Sequence, residues 1–312
     1  MRIAIYGTGG VGGYFGGRLA QAGADVTFIA RGAHLEAIRR EGLQVESIAG
    51  DFTVAPAAAA ATDRPGEVGP VDLVVLGVKA WQLPEAAQAV KPLVGPGTMV
   101  LPLQNGVEAA EILAPVLGRE HVLGGLCAIV SMVVAPGRVR HAGVEPVVRF
   151  GELDNSRSER VEQLLQLFQS CSAVKADIPE DIQSAIWRKF VFISSWSSVA
   201  SVARVPVGPL RTNPESRQLL LQVLDEVLAV GRARGVDLPE RVHQDTMAFV
   251  DSLNESGTAS MQRDVMQGLP SELESQTGAI VRLGAQAGVA TPAAQVIYRA
   301  LLPGELLARK SG

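Results

Sequence analysis

Cysteine is scarce. Two, Cys127 and Cys171, occur in 312 residues, with no CxxC pair and no Cys/His spacing that would bring them to a metal. Neither a metal site nor a disulfide framework is therefore expected, and each thiol reads as a small apolar core residue. Aromatic residues make up 4% of the chain and charged residues 19%, with a formal net charge of −4. Without a basic excess there is no electrostatic footprint for nucleic acid or an anionic membrane, and neither is expected as a partner. Long apolar runs are also missing, since none reaches the roughly 18 residues needed to span a bilayer. Met1 leads directly into the strand-like Arg2-Ile3-Ala4-Ile5-Tyr6, without the basic start and cleavage site of a signal peptide. A cytoplasmic location is the expectation.

What is present suits large packed cores. Hydrophobic residues account for 47% of the chain, and 33 glycines and 18 prolines supply many tight turns. The length fits two domains at roughly 100–200 residues each. In the first half, strand-like and helical patterns alternate. Ile3–Tyr6, Asp25–Ala30, the continuous apolar Val71–Val78 and Met99–Leu103 read as strands. Val11–Ala22, Ala33–Glu41 and segments around 84–92 and 107–117 read as helices. This βαβ alternation predicts a Rossmann-type, doubly wound and mostly parallel sheet. Leu43–Ala55 holds two weak alternating segments, and the alanine run at 57–61 reads as helix or loop. Leu126–Val134, Arg138–Ala142 and Val147–Gly151 are expected to continue the same sheet as a mixed extension. After Asp177-Ile178-Pro179 the patterns become helical, including a helix over 271–288, so an all-α C-terminal domain is expected over 179–312, following a Rossmann domain over 1–178.

Gly7-Thr8-Gly9-Gly10-Val11-Gly12 fits GxGxxG between a strand and a helix. In that context Gly7 permits the tight turn, Gly9 lets backbone approach a pyrophosphate, and Gly12 allows close helix–strand packing. The helix N-terminus offers its free N–H groups to the phosphates. A site that prefers NAD places a carboxylate at the end of the second strand. Here that strand ends Phe28-Ile29-Ala30-Arg31, and the Arg31 guanidinium suits a 2′-phosphate, so NADP(H) is the expected cofactor. Lys79 and Asn105 follow later strands at the same carboxyl edge, where open α/β sheets bind ligands.

Seven separated motifs carry a resemblance to a known family. They are GTGGVGG at the start, Arg31 after the second strand, VKAWQ at 78–82, QNGVE at 104–108, WRKF at 187–190, SMQRD at 260–264, and SELESQTGAIVRLGAQAGVATP at 271–292. On these the chain resembles the ketopantoate reductase (2-dehydropantoate 2-reductase) family over nearly its whole length. The resemblance implies NADPH-dependent reduction of a 2-keto acid to a 2-hydroxy acid, on the path to pantothenate. It matches the family's catalytic lysine to Lys189, gives Asn105, Ser260 and Glu272 substrate contacts, and places Lys79 at the ligand. In chemical terms, hydride delivery to a ketone leaves negative charge on oxygen, which a lysine ammonium can stabilise and protonate. Glu272 can hold a substrate hydroxyl or orient the lysine. Where the family commonly has asparagines four and eight residues after that lysine, this chain has Ile193 and Ser197, and Ser197 is taken as the remaining polar contact there. Thr277 stands where an asparagine often precedes the glycine of the late helix.

Taken without the resemblance, Lys189 is a helix-surface lysine, Ser260 a surface or cap residue, and Glu272 an N-terminal helix residue capped by Ser271. Two other functions stay open: a reductase of a different carbonyl compound on the same scaffold, and a non-catalytic NADP(H)-binding regulator. The apolar face between residues 215 and 230 reads as core, with a homodimer seam as the alternative.

Overall fold

The computed structural model describes residues 1–311. The chain divides into two compact units, one of residues 1–104 with 108–182 and the other of residues 105–107 with 183 onwards.

The first unit is built from β1 (Arg2–Tyr6), α1 (Gly10–Gln21), β2 (Asp25–Ile29), α2 (Gly32–Glu41), β3 (Leu43–Ser47), β4 (Phe52–Val54), β5 (Ala60–Thr62), β6 (Leu73–Leu76), α3 (Leu83–Ala89), β7 (Met99–Pro102), α4 (Ala109–Leu117), β8 (Gly124–Ala135), β9 (Arg138–Gly151), α5 (Glu159–Gln169) and β10 (Lys175–Asp177). Five strands in the order β5-β2-β1-β6-β7 form a parallel sheet. Its side chains alternate between two cores, as the strand period of two requires. Ile3, Ile5, Leu73, Val75 and Leu101 face the α1 side. Ala4, Tyr6, Val74, Leu76 and Val100 face the side of α3 and α4. Within the apolar run 71–78, Leu73–Leu76 is thus buried on both faces, as a central parallel strand should be.

The strands beyond residue 124 do not extend this sheet. They form a second one, ordered β10-β9-β3-β4 with β8 paired to β9. β8 and β9 are consecutive and joined by a turn at Pro136-Gly137, so they pair antiparallel with each other over most of their length. Buried and exposed residues alternate along β9, the mark of a sheet with one face in solvent. The two weak segments of 43–55 are β3 and β4 of this sheet. The alanine run also hides a strand, since β5 pairs with β2 despite the poor strand preference of alanine.

Helix α1 lies between the two sheets, and its glycines explain how. Gly16 packs against Ile5 and Phe28 of the parallel sheet, where a Cβ would come to 2.6 Å from Ile5. On the other side, a Cβ at Gly13 would reach 2.8 Å from Val139 of β9. Both distances are below any real Cβ contact, so only glycine lets α1 approach both layers. Helix α5, absent from the sequence reading, begins at Ser158, whose Oγ accepts from the Val161 N–H.

The second unit is helical: α6 (Ile182–Ala203), α7 (Val207–Thr212), α8 (Pro214–Ala233), α9 (Arg241–Ser252), α10 (Ser260–Met266), α11 (Thr277–Ala287) and α12 (Pro292–Ser311). Trp187, Phe190, Leu224, Val227, Ile280 and Leu283 lie at its core. Leu220, Val223, Leu224 and Val227 of α8 are fully buried there, so the apolar face of 215–230 is core. The helix expected over 271–288 starts only at Thr277; residues 271–276 form a turn instead. Among the described residues, no helix is long and apolar enough to cross a membrane.

Candidate active site

In the first unit, the glycine motif makes the β1–α1 turn. The amides of Gly7 and Thr8 donate to the Ile29 carbonyl, and so does the Thr8 hydroxyl at 3.1 Å. Gly7 has φ +91°, and a Cβ there would meet Val78 at 2.5 Å. At Gly12 a Cβ would stand 2.2 Å from the Gly7 carbonyl oxygen, which accounts for the third glycine by packing alone. Gly9 is different: a Cβ built on it meets nothing within 4 Å. Internal packing does not demand that glycine, and its lack of a side chain leaves the backbone there open to close approach. Gly9 is the N-cap of α1, no side chain caps the helix, and its first turn holds no acidic residue. The first-turn N–H groups, including those of Gly10 and Val11, are left to an anion. These features fit a dinucleotide pyrophosphate.

Arg31 is the N-cap residue of α2, just beyond β2. Its side chain is 70% exposed and reaches Glu85 at 3.4 Å and the Tyr6 hydroxyl at 3.5 Å. The Glu85 carboxylate, with Tyr6, holds the guanidinium above its usual range. Such long contacts at an exposed site are weak, so Arg31 is free to turn to a phosphate. His34, in the same helix, accepts the Gly137 N–H on Nδ1 at 3.0 Å, and burial pushes its imidazole below the usual range. Lys79 stands beyond β6 with its ammonium 5.8 Å from the centre of the Trp81 ring.

Gln104, which sequence reasoning passed over, braces this edge. Its Nε2 donates to the Leu76 carbonyl at 2.7 Å and the Val78 carbonyl at 3.0 Å. Its Oε1 is buried with no partner among the described residues.

In the second unit, Asn105 is bound to Glu272. Its Nδ2 donates to Glu272 Oε2 at 2.8 Å, and Gln276 Nε2 donates to the same oxygen at 3.1 Å. Gln276 Oε1 in turn accepts from the Ser197 hydroxyl. Glu272 is 4% exposed, and Ser197 and Gln276 are fully buried. Asn105, Glu272 and Ser197 thus belong to one hydrogen-bonded chain whose missing link was Gln276. The only trace of that link in the sequence is its position four residues after Glu272. The serines of 194–198 divide in role. Ser194 and Ser195 bond back to carbonyls of their own helix, while Ser198 pairs with Thr277 at 2.7 Å.

Glu272 is not on a helix, contrary to the reading of Ser271 as a helix cap. It sits in the 271–276 turn, which α12 holds in place. Buried Glu305 accepts the Ser271 hydroxyl at 2.5 Å and its N–H at 3.0 Å. Arg309 bonds both Glu305 and the Ser271 carbonyl. The Tyr298 hydroxyl donates to Glu274 at 2.5 Å, and burial, reinforced by that bond, pushes its pKa to about 12.

Lys189 lies on α6, half-buried, and its ammonium has no hydrogen bond or ion pair with any described residue. Ile193 and Ser197 follow it at successive turns of the same helix face. Ser260 is the first residue of α10; Ala259, not Ser260, is the cap. Lys189 and Ser260 stand outside the Asn105–Glu272 chain of hydrogen bonds. Both cysteines are buried thiols, and burial raises that of Cys171 to about 11.

Residues 3–155 match the profile of ketopantoate reductase PanE/ApbA, and residues 181–305 match that of its C-terminal region. The chain belongs to the ketopantoate reductase family. An uncharacterized oxidoreductase, YkpB of Bacillus subtilis, is 30% identical over 96% of this chain and 97% of its own. The 2-dehydropantoate 2-reductase of Mesorhizobium japonicum is 32% identical, with 94% of each chain covered. Among solved structures, that of 2-dehydropantoate 2-reductase from Geobacter metallireducens superimposes with a TM-score of 0.88 at 31% identity over the full length of both chains. Like its family, this ketopantoate reductase relative is an oxidoreductase that acts on CH–OH groups with a nicotinamide dinucleotide.

Proposed function

We propose that this chain reduces 2-dehydropantoate to pantoate with NADPH, in the cytoplasm, as a step toward pantothenate. The observation that carries the reading is Glu272: a buried carboxylate with one oxygen held by two amide donors and Oε1 left without a donor among the described residues. That is the arrangement for gripping a substrate hydroxyl. Bound NADPH supplies a hydride to the ketone carbon. The carbonyl π pair moves to oxygen, which takes a proton from the Lys189 ammonium, leaving neutral amine and a secondary alcohol. Asn105 and Ser260 are neutral groups suited to the carboxylate and carbonyl of the acid, and Lys79 adds positive charge for the anionic ligands.

A panel of 2-oxo acids with purified protein and NADPH tests the assignment. Highest kcat/KM on 2-dehydropantoate is expected; activity confined to another 2-oxo acid overturns the substrate, and no turnover with any of them overturns catalysis. Cofactor choice has its own test. Loss of the charge-assisted bonds of Arg31 in Arg31→Ala is expected to raise the KM for NADPH by about 10- to 100-fold. The KM for NADH should hardly move, and equal losses for both cofactors would remove Arg31 from the 2′-phosphate.

A further inference from the structure

We infer that Gln276 is the positioning residue of Glu272, and that Ser197 holds the far end of its amide; the inference rests on the role proposed for Glu272. Gln276 is fully buried. A primary amide in that setting is costly unless both ends are paired, and here both are, to groups from different parts of the unit. The Ser197 hydroxyl, on α6, donates to Oε1, and Nε2 donates to Glu272 Oε2 at 3.1 Å.

The orientation is fixed by chemistry. A carboxylate can only accept, so the amide must present N–H to it. Turned over, Gln276 would set its own oxygen against Glu272 Oε2 and its N–H₂ against a serine that could accept it. Ser197, by donating, fills Oε1, so the direction imposed by the carboxylate leaves neither end of the amide unpaired. Asn105 closes on the same carboxylate oxygen from the other side at 2.8 Å. With Oε2 doubly occupied, the carboxylate is locked in rotation about its terminal bond, and Oε1 is the oxygen that remains for a substrate hydroxyl. The backbone adds to the lock: the Gln276 N–H donates to the Glu272 carbonyl at 3.0 Å, so Gln276 grips both ends of the residue it orients. Ser197 and Gln276 are fully buried and bond to each other and to Glu272, so they act through Glu272 as positioning residues.

The test compares Glu272→Gln, Gln276→Leu, Gln276→Glu, Ser197→Ala and Ser197→Thr, with KM and kcat for 2-dehydropantoate measured from acid to neutral pH. Loss of one hydrogen bond to a charged group predicts a KM about 10-fold higher or more in Gln276→Leu. The kcat at saturation should change less, and the effect should be much the same at every pH. Gln276→Glu is near-isosteric but places two carboxylates side by side at neutral pH. Its KM defect should exceed that of Gln276→Leu there and shrink as pH falls, when one shared proton restores a hydrogen bond between them. Ser197→Ala should raise KM, Ser197→Thr should restore it by keeping the hydroxyl, and Ser197→Ala should add little in the Gln276→Leu background. A packing role alone would give neither the pH recovery nor the threonine rescue. If Glu272→Gln raises KM while both Gln276 variants stay at wild-type values, the positioning role is overturned and the Glu272 assignment stands. If Glu272→Gln itself leaves KM unchanged, both are overturned.

Discussion

Lys189→Ala is expected to lower kcat by about 10²- to 10⁴-fold, the range typical of losing a positioned general acid, with little change in the affinity for NADPH. The alkoxide formed by hydride delivery has to be neutralised as it develops, and the Lys189 ammonium is committed to no other described partner. Arginine at the same position would keep the positive charge but cannot surrender a proton at neutral pH. Lys189→Arg should therefore recover substrate binding more than turnover. Single-turnover measurement of NADPH oxidation separates the two effects, because it reports the chemical step without product release. Undiminished NADPH oxidation in Lys189→Ala would remove Lys189 from the chemistry.

The parallel sheet and its glycine turn were legible because each rests on a strong local signal: apolar runs such as 71–78, and glycines spaced as GxGxxG between a strand and a helix. The helical second unit was equally plain from periodicity. The second sheet was not, since pairing across long separations leaves no mark in local pattern. Gln44 beside Arg138 is such a pair. At the site, sequence reasoning named Asn105, Ser197 and Glu272 but could not see that one amide, Gln276, links Ser197 to the Asn105–Glu272 pair. Nor could it see Glu305, buried 34 residues after the Ser271 it holds. A buried glutamate on an otherwise amphipathic helix looks like any surface glutamate until its partners are known. The reading of Glu272 as a helix residue failed because 271–276 carries helix-compatible residues, while Ser271 at its start pairs its N–H and hydroxyl with Glu305 and its carbonyl with Arg309 of α12.

The glycine turn supports a second large effect, in which two neighbouring substitutions should part company. In Gly12→Ala the new methyl would lie 2.2 Å from the Gly7 carbonyl oxygen and 3.0 Å from Ile5. Both contacts are to parts of β1 and its turn that cannot swing aside. Relief requires α1 to move from the sheet, at a cost of about 1–3 kcal/mol in stability, and the loop amides move with it. NADPH affinity and thermal stability should fall together. In Gly9→Ala the methyl enters open space, at φ −80° and ψ −156°, so the fold should lose little. The same methyl would occupy the approach of the pyrophosphate to the backbone, and NADPH affinity should drop alone. Calorimetric titration of NADPH beside thermal melting of the two variants checks this. A Gly9→Ala protein that binds NADPH normally would mean that the pyrophosphate does not approach this turn.

The glycine-lined faces of α1 have a thermodynamic consequence. A helix wedged between two layers without side-chain padding behaves as a party wall: pressure from either room shifts it. Leu43, Phe52 and Val139 on one side, and Ile5 and Phe28 on the other, therefore share control of where the start of α1 and its glycine turn stand. By linkage, NADPH bound at the end of that wall should steady both sheets together, by an amount set by its concentration relative to Kd. The β3–β4 hairpin, which carries no residue of the glycine turn, should then exchange its amide hydrogens more slowly when the cofactor is bound.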